Sequence, residues 1–170
     1  MLIETGIPTA EDLQSVTPPA GRLARGAVAI AECFQKIPCN PCTRACPRHA
    51  IRIEPDINET PQIDYEACTG CGACIARCPG LAIFVVDMTY SDSEALVMLP
   101  FEFLPVPEAG QLACGLDREG KELGWFSVVR VVSGGKENKT YTVSLAVPRE
   151  LAMEVRNIRA GGYQNGKQNG

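Results

Sequence analysis

Eight cysteines between Cys33 and Cys78 are the residues of this chain best suited to chemistry. Cys68, Cys71, Cys74 and Cys78 follow the pattern Cys-x2-Cys-x2-Cys-x3-Cys, closed by Pro79. Two-residue spacings wrap a backbone around one face of a metal–sulfur cubane, so one tight loop supplies thiolates to three corners. Gly70 and Gly72 let that loop approach closely and take positive φ where amide N–H groups must face sulfur. The fourth cysteine, held by a proline, lies too far round for the same cluster. In chains with two clusters it ligates the other one.

The pattern occurs twice. Cys39-Asn40-Pro41-Cys42-Thr43-Arg44-Ala45-Cys46-Pro47 reappears 32 residues later as Cys71-Gly72-Ala73-Cys74-Ile75-Ala76-Arg77-Cys78-Pro79, and Ala50-Ile51 reappears as Ala82-Ile83. The first copy departs at its start. Lys36 stands where the first ligand belongs, and an ammonium does not ligate iron. Cys33 lies three residues further back, across the stiffened loop Phe34–Pro38. Two crossed sites are therefore expected. The first comprises Cys33, Cys39, Cys42 and Cys78; the second comprises Cys68, Cys71, Cys74 and Cys46. Each is expected to hold a [4Fe-4S] cluster. Without Cys33 the first would hold a [3Fe-4S] cluster or a labile one.

Zinc sites use two well-separated Cys-x2-Cys pairs and need no Cys-Pro in series, so this spacing disfavours zinc. No acid, base or nucleophile constellation accompanies the cysteines, and no catalytic residue is assigned. The sole histidine, His49, matches Leu81 of the second copy and is expected at the surface. Cys114, the ninth cysteine, reads as a small buried hydrophobe. Tyr65 should pack on the cluster lobe, Trp125 in the core or an interface, and Asp117–Lys121 should be a solvated turn.

The 170 residues carry a formal charge of −4, with neither a basic stripe for nucleic acid nor an apolar run long enough for a membrane span. The first residues lack the basic stretch and apolar core of a signal peptide. A cytoplasmic location is expected, where clustered cysteines serve as metal ligands before disulfides.

The elements that position the cysteines follow from local pattern. Residues 1–26 read as an extension, with a short helix capped by Thr9 and stopped at Pro18-Pro19. Residues 27–90 read as a ferredoxin-like dicluster domain. Strands are expected over Gly26–Glu32, Ala50–Ile53 and Leu81–Val86, and a loop over Glu54–Pro61. Residues 91–160 read as a small all-β barrel or sandwich. Its strands are Ala95–Leu99, Gln111–Leu116, Trp125–Val132 and Tyr141–Val147, with a helical turn or last strand over Glu150–Arg156. Phe126–Val132 is apolar on both parities, which predicts burial on two sides. Residues 161–170 read as a disordered tail. The fold class expected is α+β.

Cys68–Pro79 is similar to the dicluster ferredoxin motif of bacteria. Glu32–Cys42 resembles the small iron–sulfur subunits that accompany FAD-dependent amino-acid or amine dehydrogenases of the proline- or hydroxyproline-oxidising type. Val147–Arg156 resembles a segment near their C-termini. The resemblance implies an electron-transfer subunit, with FAD confined to partner chains and a further iron–sulfur subunit possible in the complex. Five bases and five acids between Cys33 and Val86 balance to zero, which favours permanent docking over a steered shuttle. A free-standing ferredoxin, or a scaffold or sensor with structural clusters, remains an alternative on the residues alone.

Overall fold

A computed structural model of the chain describes residues 2–166. The protein is mostly β with few, short helices. Helix α1 spans Leu2–Thr5 and α2 spans Ala10–Val16. The Thr9 hydroxyl accepts from the Asp12 amide at 3.2 Å, and the Asp12 carboxylate accepts from the Thr9 amide at 2.8 Å. This reciprocal cap satisfies donors that the first turn leaves open. The helix ends at Val16, with Thr17 as its extended cap before Pro18-Pro19, and α3 (Ala20–Leu23) follows.

The cysteine-rich half is built on four strands that pair crosswise. Strand β1 (Val28–Ala31) precedes the first motif and β2 (Ile51–Arg52) follows it. Strand β3 (Gln62–Ile63) precedes the second motif and β4 (Ile83–Asp87) follows it. The outer pair, β1 and β4, is antiparallel from Val28↔Val86 to Ala31↔Ile83. The inner pair, β2 and β3, is antiparallel through Ile51↔Ile63. Thus the strand leading into one motif always lies beside the strand leaving the other.

Residues beyond 90 extend the same sheet. Strands β5 (Glu94–Phe101), β6 (Gln111–Leu116), β7 (Glu122–Ser133), β8 (Tyr141–Pro148), β9 (Asn157–Ile158) and β10 (Gln164–Asn165) follow in sequence. The order is β1-β4-β5-β8-β7-β6-β10, with β9 also on β6. A barrel or sandwich separate from the cluster half was the expectation, whereas one open sheet crosses between the two halves. The cause is β4, which pairs with β1 on one side and, through Val85↔Met98, with β5 on the other.

Two cores lie on opposite faces of this sheet. Ile30, Phe84 and Val86 join Val97, Leu99, Phe101 and the C-terminal strands. Ala29, Ala31, Ile83 and Val85 face the other way, toward Cys42, Cys74 and Ile75. The apolar run of β1 and β4 on both parities thus reflects burial on both faces. The same pattern in β7 has a different cause. A register shift between Val128 and Arg130 leaves Val129 outside the ladder, and Val129 and Val132 are each 39% exposed. The predicted two-sided burial of Phe126–Val132 is therefore not found: a bulge changes which parity faces out.

Two further expectations change. Residues 164–165 pair with β6 through Gln164↔Leu112 instead of forming disordered tail, while residues 167–170 lie outside the described residues. The turn at Asp117–Lys121 forms, but Arg118 leaves solvent. Its guanidinium donates to the Glu32 carboxylate at 2.7 and 2.9 Å. Arg156 donates to the same carboxylate at 2.6 Å and lies 5.0 Å from the Phe84 ring centroid. Burial alone would raise the Glu32 carboxyl, but the two guanidinium groups together hold it below its ordinary range.

This triad ties the residue before Cys33 to segments more than 80 positions away. Arg156→Met should leave Glu32 buried beside Arg118 alone and cost about 3 kcal/mol, the low end for removing one member of a buried ion pair. The urea midpoint of the cluster-loaded chain reads this, and an unchanged midpoint would remove the clamp.

Candidate metal centre

Local structure repeats along with the sequence. After Cys39, helix α4 (Pro41–Ala45) starts with proline at its first turn and turns Cys42 inward. After Cys71, a 3-10 turn over Ile75–Arg77 follows the inward-facing Cys74. Each segment then closes in the same hairpin-like turn. The His49 amide donates to the Cys46 carbonyl at 3.1 Å, and the Leu81 amide to the Cys78 carbonyl at 3.2 Å.

His49 and Leu81, the matched pair of the two copies, both adopt left-handed backbone, with φ of 51° and 52°. That conformation is costly for a non-glycine residue and redirects the next amide. The Ala50 amide thereby donates to the Cys46 sulfur at 3.3 Å, and the Ala82 amide to the Cys78 sulfur at 3.4 Å. His49 is exposed, as expected, and its place is explained by backbone rather than by imidazole chemistry.

The crossed strands gather the eight cysteines into two groups. Cys33, Cys39, Cys42 and Cys78 line one cavity. Cys46, Cys68, Cys71 and Cys74 line a second. Cys33 is brought beside the second Cys-Pro turn because the β1–β4 ladder continues past Ala31, with the Glu32 amide donating to the Ala82 carbonyl at 2.8 Å. The inner ladder likewise continues from the Asp64 amide to the Ala50 carbonyl at 2.7 Å, which carries Cys68 toward the Cys46 turn. Gly70, at φ 64°, fits only as glycine, since a Cβ there would run into the Ala27 backbone.

Among the described residues, no three His, Cys, Asp or Glu side chains are grouped as a single metal ion would hold them. The thiols instead ring two cavities, four to each. Burial, followed by the neighbouring Cys78 and Cys39, pushes the Cys42 thiol up to about 11. Burial also pushes Cys74 up to about 12. Without a cation to offset that burial these sulfurs keep their protons, so a metal must displace them. Four thiols, apolar walls and amides directed at sulfur are the donor chemistry that an iron–sulfur cluster requires.

The two surroundings are unequal. At the second cavity the Ala29 and Gly70 amides both donate to the Cys68 sulfur at 3.4 Å, in addition to the amide on Cys46. At the first, the Ala82 amide on Cys78 is the one such bond among the described residues. Arg48 borders the second cavity, whereas Glu59, paired with Lys36 at 2.8 Å, borders the first.

Other expected residues fall outside the centres. Cys114 is buried in β6, and the Tyr65 hydroxyl donates to the Val16 carbonyl at 2.8 Å, fastening α2 to the lobe. Trp125 is 38% exposed, not core, with the Arg159 guanidinium 5.4 Å from its ring centroid. Sequence reasoning missed Arg22, Glu32, Arg118 and Arg156. Glu32 carried a signal, since it adjoins Cys33 just past an otherwise apolar strand; the arginines carried none, because Tyr65, Cys68 and Glu32, which help to bury them, are remote from them in sequence.

Cys46→Ser should selectively damage the second site and Cys33→Ser the first, read by iron content and EPR; equal loss of both signals from either variant would break the crossed pairing. At the turn, His49→Gly should be neutral or stabilise by up to about 1 kcal/mol, because glycine relieves the left-handed cost while adding chain entropy. His49→Val should cost about 1–2 kcal/mol. Thermal melts of the loaded chain compare the two, and equal melting temperatures would show that the turn stores no strain.

Residues 37–82 match the sequence family described as the 4Fe-4S dicluster domain. The match contains seven of the eight clustered cysteines and begins after Cys33. Ferredoxin-type protein NapF of Haemophilus influenzae is 36% identical over 61 residues, covering 35% of this chain and 35% of the relative. A subunit of the ion-translocating oxidoreductase complex of Methanosarcina acetivorans is 49% identical over 47 residues, covering 28% and 17%. Ferredoxin-type protein NapF of Escherichia coli strain K12 is 38% identical over 52 residues, covering 29% and 32%. The chain therefore aligns with only about a third or less of these relatives' length. No solved structure matches it. Residues 37–82 of this chain are thus similar to a 4Fe-4S dicluster domain of the ferredoxin type, and iron–sulfur electron transfer is the function that this similarity supports.

Proposed function

We propose that this chain is the electron-transfer subunit of a multi-subunit, flavin-dependent dehydrogenase and carries two [4Fe-4S] clusters. Cys33, Cys39, Cys42 and Cys78 would hold one; Cys68, Cys71, Cys74 and Cys46 would hold the other. The observation that carries this reading is the crossed grouping. Each cavity is rimmed by three cysteines of one motif and the Cys-Pro cysteine of the other. When bound, such clusters supply one-electron transfer, and thiolates at every corner leave no iron open to substrate.

The chain's own part is to place the two sites side by side, exclude water from their walls and offer a point of access. Cys71 supplies that access, as the one exposed cysteine among the described residues. The residues beyond 90 add surface without redox groups, which suits lasting attachment to partner chains. One relative's name, a subunit of an oxidoreductase complex, supports a place in such an assembly. The name of another, a ferredoxin-type protein, supports the second reading, a separate carrier. In the dehydrogenase reading FAD belongs to a partner, which takes a hydride from an amino acid or amine, and another iron–sulfur subunit passes electrons onward. No helix among the described residues is long and apolar enough to cross a membrane. The proposed location is cytoplasmic.

Anaerobic purification from the native host tests this reading. Co-elution with a flavin-bearing chain, and bleaching of the cluster absorbance when amino-acid or amine substrates are added, is the expected result. Elution as a monomer free of flavin chains would replace it with the separate carrier.

A further inference from the structure

Arg22, in the extension before the dicluster domain, has a buried guanidinium with no carboxylate bound to it among the described residues. The residue is 8% exposed. Its Nε donates to the Tyr65 carbonyl at 2.6 Å and its Nη1 to the Gly26 carbonyl at 3.0 Å. Its Nη2 donates to the Ala27 carbonyl at 2.9 Å and to the carbonyl of Cys68 at 2.7 Å. The guanidinium is thus satisfied by neutral oxygens, which meet the geometry but leave the charge. Glu66 is near enough to feel that charge, yet its side chain is 72% exposed and bonded to Arg25.

A buried cation needs a buried anion close by, or its desolvation goes uncompensated. Around Arg22 the candidate anion is the second centre itself. Cys68, whose carbonyl the guanidinium holds, also turns its sulfur toward the Ala29 and Gly70 amides. A [4Fe-4S] core with four thiolates carries net negative charge, and reduction adds one electron and no proton. Among the described residues the first centre has no equivalent: the position that matches Cys68 in the first copy is Lys36, whose ammonium is exposed and bonded to Glu59 at 3.0 Å.

We propose that Arg22 is the fixed counter-charge of the second centre and sets its reduction potential above that of the first. The inference rests on the two-cluster reading above. A positive charge held in low dielectric favours the more negative, reduced form, and amide bonds to sulfur act in the same direction. Both asymmetries point to the second centre. An electron delivered to either site would therefore settle beside Arg22, next to the exposed Cys71. Arg22 is a positioning residue as well, since it joins segment 26–27 to the Cys68 loop.

The test is an anaerobic EPR-monitored redox titration of the full chain, its two signals assigned with Cys33→Ser and Cys46→Ser. In the unaltered protein the second centre should titrate at the higher potential; the reverse order overturns the inference without any variant. Arg22→Gln should lower the one-electron reduction constant of the second centre at least tenfold, a shift of about 59 mV, with the first centre moving less. Arg22→Lys, which keeps the charge, should restore the separation. Loaded Arg22→Gln protein with an unchanged separation overturns the proposal. If Arg22→Gln does not load, Arg22→Lys decides: the native separation supports the counter-charge, and a collapsed separation overturns it. Iron and sulfide analysis that finds no cluster at the second centre overturns the two-cluster reading itself.

Discussion

Crosswise strand pairing is the constraint on which the rest of this structure depends. Ladders β1–β4 and β2–β3 each join the approach to one motif with the exit from the other. The outer ladder closes a loop of about 50 residues, and loop-closure entropy grows only slowly with length, so the added cost over a short hairpin is small. Once closed, it fixes where every cysteine can lie. The three-cysteine loops turn inward on their own local geometry. The Cys-Pro cysteines reach the opposite cavity only because the strands after them run back beside the other motif.

The same ladder carries two jobs on two faces. Small side chains, Ala29 and Ala31, meet the cluster lobe, where the Cys68 loop presses close. Larger ones, Ile30, Phe84 and Val86, fill the core shared with the later strands. The cysteine sites are thus backed by a well-packed sheet. Glu32 extends this coupling by electrostatics, since its carboxylate sits between Arg118 and Arg156 at the point where β1 gives way to the loop bearing Cys33. The longer spacing of the first motif thereby has an anchor that the sequence alone does not reveal.

Much of this was legible because it is encoded locally. Cysteine spacing, the duplicated Cys-Pro turns and the capped helix after Thr9 depend on neighbours within a few residues. Strand β6 falls over the predicted Gln111–Leu116, and β5, β7 and β8 differ by a few residues at their ends. What escaped depends on distant partners. The joining of the expected dicluster and all-β domains through one sheet rests on both edges of β4. The burial of Arg22 and Arg118 rests on carbonyls and a carboxylate far along the chain. The apolar parities of β7 misled because a bulge and a doubly buried strand leave the same trace in sequence.

Strand β1 lies at the end of the sheet, with β4 on one side and, among the described residues, no strand on the other. An edge of four apolar residues is the kind of template on which chains aggregate. Here the outward amide of Ala29 is taken by the sulfur of Cys68, which also brings its loop over that edge. The same bond that directs an amide at the Cys68 sulfur thus also shields the end of the sheet from pairing with a second molecule.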